Sequence, residues 1–286
     1  MKCTHITPSC PVEATTYGYY PNLAANCLYL SIFCICACLQ VGLGIKAGAK
    51  TYTALTTIGC LGEALGYVGR IMMHSNPWSN SGYILQILLL ILSPSFLAAA
   101  LYFNLKAAIN HFGSEHFRIS ARFVAPIFIT CDAIGFLTQG VGGGIEASGS
   151  SGGASQSTTD IGNDVMIFGI SFQAATMAVC AVLFLDYFIT YRKAGRNRSN
   201  MHFSGANSLS QKFYITCNIV AFSTILIRCI YRIPEMAGGW GNPIMRSQAL
   251  FMIFDGAMVT IAAILMTAAH ADQAQEEQSR SMDNTC

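Results

Sequence analysis

The chain has 286 residues, of which 53% are hydrophobic and only 10% charged, where a soluble domain carries about 25% charge. With a mean hydropathy of +0.46, this composition excludes an ordinary water-soluble domain and places the chain among membrane proteins. The net charge of +2 is too small to indicate a nucleic-acid partner, and the placement of the charges carries more than their sum.

Residues 1–21 are polar and lack the basic start of a signal peptide, so they read as a short extracellular segment. A membrane-crossing helix needs about 20 mostly apolar residues. Segments 22–45, 51–73, 82–106, 119–140, 162–190, 212–234 and 247–270 meet that test. Pro94 falls inside the third, where membrane helices tolerate it. The 4–5 connection, "GGGIEASGSSGGASQSTTD", is rich in Gly and Ser and reads as mobile. Residues 271–286 read as a short polar cytoplasmic tail without order. The expected fold class is thus an all-α membrane protein, a seven-helix bundle over 22–270.

Basic residues orient such a bundle. Lys46, Lys50, Lys106, Arg118, Arg122, Arg192, Lys193, Arg196, Arg198 and Lys212 fall on connections 1–2, 3–4 and 5–6, while Arg246 is the clearest on the other three. The odd connections therefore face the cytoplasm, with the N-terminus outside and the C-terminus inside. Of the 12 cysteines, Cys27, Cys34, Cys36, Cys38, Cys60, Cys131, Cys180, Cys217 and Cys229 lie in apolar runs, where a thiol acts as a small hydrophobe. Cys3 and Cys10 lie apart from these, on the predicted oxidising side, where a disulfide between them is allowed.

The stretch "IGCLGEALGYVGRIMM" places Glu63 and Arg70 seven residues apart, close to two helical turns, on one face of the second segment. Asp132 and Gln139 repeat that spacing in the fourth. Gln173 lies mid-way along the fifth, Arg228, Arg232 and Glu235 toward the outer end of the sixth, and Asp255 in the outer half of the seventh. A lone charge at the bilayer centre costs at least ~2.5–3.5 kcal/mol, so these groups turn inward and pair, or line a watery cavity. Two bland readings stand beside a functional one. The charges are packing salt bridges, with Glu63 and Arg70 as a buried pair, and Arg232 and Glu235 are held at the interface by snorkelling. The neighbouring glycines, Gly62 and Gly66 first among them, read as close helix contacts.

Several chemistries are not expected. No histidine lies in the middle of a segment, so an intramembrane metal hydrolase is not indicated. The seventh segment has no lysine for a retinal Schiff base, and "GIKAGAKT" has Ala49 where a P-loop needs Gly. No CxxC spacing occurs, so no zinc site is indicated. The chain is read as a non-enzyme without a cofactor or metal.

The motifs "GEALGYVGR", "LAAALYFNL", "APIFITCDAIGFLTQGVGGG", "GISFQA" and "IRCIYRIPEMAGGWG", in this order, resemble the fungal RTA-like family, also called the lipid-translocating exporter family. The resemblance covers roughly residues 17–270. It implies seven helices in a fungal membrane, the plasma membrane favoured, and translocation of an amphipathic lipid, sphingoid long-chain bases favoured, contributing to lipid asymmetry or resistance to toxic amphiphiles. Porphyrin or drug movement is the alternative it also implies. On its motif positions the polar core comprises Glu63, Tyr67, Arg70, Asp132, Gln139, Gln173, Arg228, Tyr231, Arg232 and Glu235; Asp255 joins them on the physical argument. Glu63, Asp132 and Asp255 would receive an ammonium head, and Arg70 and Arg228 would balance the empty site. The expected partners are membrane lipids or amphipathic small molecules. A seven-helix lipid sensor acting without transport is the competing reading, although neither a DRY box nor an NPxxY motif is present.

Overall fold

In a computed structural model, the structure describes residues 5–15, 17–112, 121–150, 156–197, 208–238 and 242–283. Long helices dominate: α1 (Leu23–Ala47), α2 (Lys50–Ser75), α3 (Asn80–Phe112), α4 (Ala121–Ser150), α5 (Gln156–Asn197) and α6 (Ser208–Ala237). A last helix, α7 (residues 248–283), runs without a break through Gln248–Leu250, a π-helical stretch Phe251–Ala257, and Met258–Asp283. No strand occurs among the described residues.

The helix ends follow local chemistry. Asn22 caps α1, its side chain accepting from the Ala25 amide at 3.0 Å. Gly48 closes the same helix at φ 67°, a left-handed conformation that glycine alone adopts cheaply, and α2 begins two residues later. The helices overrun the segments read from sequence. α4 continues into the Gly- and Ser-rich stretch as far as Ser150 and α5 begins at Gln156, with residues 151–155 outside the described residues, and α7 continues past Asp272 to Asp283. Helical hydrogen bonds outlast apolar character, so hydropathy marks the lipid-soluble part of a helix and not its ends.

Neighbouring helices pack in chain order, and α7 closes the ring against α1 and α6. The α3 helix also reaches across to α6. Its apolar span is 67% buried, against 28–44% for the spans of α1, α4, α5, α6 and α7, which makes α3 the central helix. Small residues allow its closest neighbour to approach: a side chain at Gly69 of α2 would meet the Gln86 amide and the Gly82 carbonyl of α3 at 2.8 Å. Gly62 and Gly66 face α3 as well, whereas Gly140 and Gly144 face open space.

Among the described residues, six helices are long and apolar enough to cross a membrane: all but α2. The α2 helix exposes Ile58, Leu61, Leu65 and Met72 but buries Glu63 and Arg70. The segment before α1 folds over one end of the bundle. Trp78 Nε1 donates to the Cys10 carbonyl at 3.3 Å, and His74 Nδ1 donates to the Pro21 carbonyl at 2.7 Å. Cys10 is disulfide-bonded; Cys3 lies outside the described residues. The nine cysteines of the apolar runs are free thiols.

Candidate functional site

The α6 helix carries Arg228, Arg232 and Glu235 at i, i+4 and i+7, so all three face the bundle interior, and each is at least 95% buried. One oxygen of Asp255 serves both arginines: Oδ1 lies 2.8 Å from Arg228 Nε and 2.9 Å from Arg232 Nε. Arg232 Nη1 donates to Glu235 Oε2 at 2.7 Å. Asp255 reaches them from the π-helical stretch of α7, and such stretches, by adding a residue to a turn, often mark functional sites. Arg232 and Glu235 are therefore an internal ion pair, and the interfacial snorkelling expected for them does not occur.

Arg228 has a further partner with a definite cause. Its Nη2 donates to the Leu90 carbonyl of α3. Pro94 stands four residues on, and proline has no N–H to close the i→i−4 bond. The carbonyl that Pro94 leaves without a helical donor is the one that Arg228 takes. A proline that reads from sequence as a tolerated irregularity thus presents an acceptor to a buried cation.

Glu63 lies beside this group, with Arg228, Asp255 and Arg232 as the charges around it. Its Oε1 has no hydrogen-bond partner. Arg70 does not pair with Glu63. Its guanidinium donates to Asn26 Oδ1, Gln86 Oε1 and the Tyr19 hydroxyl, each at 3.2 Å, and lies over the Phe251 ring at 3.9 Å. All of these are neutral. Tyr17, 5.7 Å below the same guanidinium, stays neutral as well: burial lifts its phenol above the ordinary pKa, against the opposite pull of Arg70. Arg232 shares the Phe251 ring at 5.5 Å. Tyr67 packs between the rings of Tyr29 (5.2 Å) and Phe33 (5.8 Å), with its hydroxyl unpartnered. Three carboxylates (Glu63, Glu235, Asp255) thus stand near three guanidiniums (Arg70, Arg228, Arg232), all buried.

Of the other residues read from sequence, Tyr231 stays beside the charge cluster, within electrostatic reach of Glu235, Arg232 and Asp255, whereas Gln139, Gln173 and Asp132 lie apart from it. Gln139 Nε2 donates to Gln173 Oε1 at 2.9 Å, and Gln173 Nε2 donates to Ser95 Oγ at 2.8 Å, an amide chain joining α4, α5 and α3. Tyr231 stacks on Phe254 at 5.4 Å. Asp132 is buried beside Tyr102, and neither of its oxygens completes a hydrogen bond. Cys229 lies within electrostatic reach of both Arg228 and Asp132.

The family model described as "RTA1 like protein" matches residues 56–278. The chain belongs to the RTA1-like family. It is 27% identical over 297 aligned residues to the "Sphingoid long-chain base transporter RSB1" of Saccharomyces cerevisiae, covering 94% of this chain and 76% of the relative. It is 27% identical to "Protoporphyrin uptake protein 1" of the same species, covering 72% of this chain and 64% of the relative. "Protein RTM1" follows at 26%, with 76% and 67% covered. No solved structure matches. Family membership, together with six helices able to cross a bilayer, makes this an integral multi-pass membrane protein.

Sequence reading missed several groups around this family member's charge cluster. Asn26 and Gln86 hold Arg70 from inside apolar runs, and a lone amide in such a run is the signal that marks them. Phe251 and Tyr102 carry no such signal, because an aromatic residue in an apolar run is unremarkable before its neighbours are known.

Proposed function

We propose that this protein moves amphipathic lipids across a bilayer, with single-chain sphingoid bases the favoured class. The observation that carries the reading is the cluster of buried carboxylates and guanidiniums inside a lipid-exposed helix bundle. Isolated charges there are costly, and a set of acids and bases held together inside the bundle suits recognition of a charged head group. The names of two relatives, one a sphingoid-base transporter and one a porphyrin uptake protein, support movement of lipid-like compounds.

In this reading α2 is a seventh span, its charges turned inward and its apolar face turned to lipid. The N-terminus faces out, the C-terminus faces the cytoplasm, and the protein resides in the plasma membrane of a fungus. Its residues bind and pass a ligand and perform no catalysis. Of the three acids that the sequence marks as head-group receptors, Glu63, Asp132 and Asp255, the last is already matched by two arginines, which leaves Glu63 and Asp132 to receive a cationic head.

The test is transbilayer movement of a labelled sphingoid base in liposomes holding the purified protein. Wild type accelerates movement over empty liposomes. Glu63→Gln, which keeps shape and removes charge, slows it by roughly tenfold, the equivalent of about 1.4 kcal/mol of head-group interaction. Well-folded wild type that leaves the rate unchanged, with or without a proton gradient, would refute translocation in favour of a lipid sensor. Protoporphyrin as competitor separates the two cargo classes.

A further inference from the structure

Away from the charge cluster, α3, α5 and α6 enclose a cavity of about 410 Å³. Its walls are chiefly Leu101, Phe184, Leu185, Ile215, Ile219 and Phe222. The amides in its lining, Asn104 and Asn218, bond each other (Nδ2 to Oδ1, 2.6 Å), and Asn218 also donates to the Tyr214 carbonyl at 2.8 Å. These hydrogen bonds are made within the wall, so the cavity favours an apolar occupant. Leu185 and Ile219 are also exposed on the outer surface of the bundle, so the crevice opens sideways, where lipid would lie. Its volume falls at the small end of ligand pockets, which run to ~300–1,000 Å³, and fits one chain rather than the two of a bilayer phospholipid.

One wall leads to a charge. Cys180 lines the cavity and lies within electrostatic reach of Asp132. Tyr102 packs on the cavity residue Phe222 at 6.3 Å and on Phe128, one turn before Asp132, at 5.4 Å. Asp132 is 3% exposed, the Tyr102 hydroxyl stands beside it as a donor, and no Lys or Arg among the described residues pairs with it. A buried carboxyl without a cation is costly to ionise, and an incoming amine would supply that cation. We propose that the α5–α6 crevice seats the alkyl chain of a single-chain amphiphile whose cationic amine is received by Asp132. The proposal rests on the reading of the protein as a lipid translocator, and it gives head and tail separate places within the bundle.

The experiment uses the full chain in lipid nanodiscs and a sphingosine with a diazirine midway along its tail. After illumination, label is expected on peptides containing residues 180–188 or 215–223. Ala181→Trp fills the crevice from α5, where the half-buried position accommodates the larger ring, and lowers labelling at least tenfold. Ser223→Trp does the same from α6, so the test does not depend on one variant folding. Asp132→Asn lowers labelling by roughly tenfold, as expected for one lost ionic contact. N-acetylsphingosine, which lacks the cation, does not compete. Label found elsewhere, or label in these peptides that neither tryptophan reduces, overturns the proposal, as does labelling indifferent to Asp132→Asn. The same preparations in the flux assay keep the two readings apart. Flux with label elsewhere sinks the crevice and spares translocation. Crevice label without flux sinks translocation and spares the seat.

Discussion

Arg70 and Asp255 meet opposite fates in the same bundle. Arg70 is held by three neutral acceptors and an aromatic face, an arrangement that suits a guanidinium because its charge is delocalised and weakly hydrated. Asp255 instead holds two arginines through a single oxygen. Removing one partner of a buried ion pair leaves the other uncompensated, at about 3–5 kcal/mol. Asp255→Asn is therefore expected to lower the thermal unfolding temperature in detergent by several degrees, or to abolish folded yield. An unchanged midpoint would show that Arg228 and Arg232 have other support. That ionisable residues turn inward was legible in the sequence, because lipid leaves them no alternative. Which acid meets which base was not, since Glu63 and Arg70 share a helix face and yet have different partners.

At the scale of elements, Pro94 and the π-helical stretch do related work. One frees a carbonyl on α3 and the other brings Asp255 to α6, and both serve Arg228. Helix propensity alone says that Pro94→Ala should stabilise α3 by about 3 kcal/mol. We expect no gain and a net loss, because the backbone N–H restored at position 94 would compete with Arg228 for the Leu90 carbonyl. Thermal unfolding of the variant decides, and a clear rise in midpoint would show that Arg228 does not depend on that carbonyl. The proline was visible in the sequence from the start. Its purpose was not, because the acceptor it releases matters only once α6 is known to lie across it.

For the whole molecule, the distribution of Lys and Arg among the connections makes a prediction of sidedness. An epitope tag at the N-terminus should be reached by antibody on intact cells whose wall has been removed, and a C-terminal tag only after permeabilisation. Both tags on one side would mean an even number of spans, and α2 would be the helix to doubt, since it alone falls short of membrane hydropathy among the long helices. Its exposed Ile58, Leu61, Leu65 and Met72 argue that it crosses.

By itself the sequence determined the class of environment, an all-helical fold, the approximate centres of the long helices and the ionisable residues that turn inward. These follow from composition and periodicity, which are local and need no knowledge of neighbours. The family was legible as well, through motifs that keep their order along the chain. Tertiary structure alone decided that α3 is central, that Arg70 is held by neutral hydrogen-bond partners, that Asp132 stands apart from the charge cluster, and that an apolar crevice adjoins it. Each of these depends on contacts between residues far apart in the chain, such as Arg228 with Leu90 or Asn104 with Asn218. The pattern along one helix states which side must be hidden, but not what hides it.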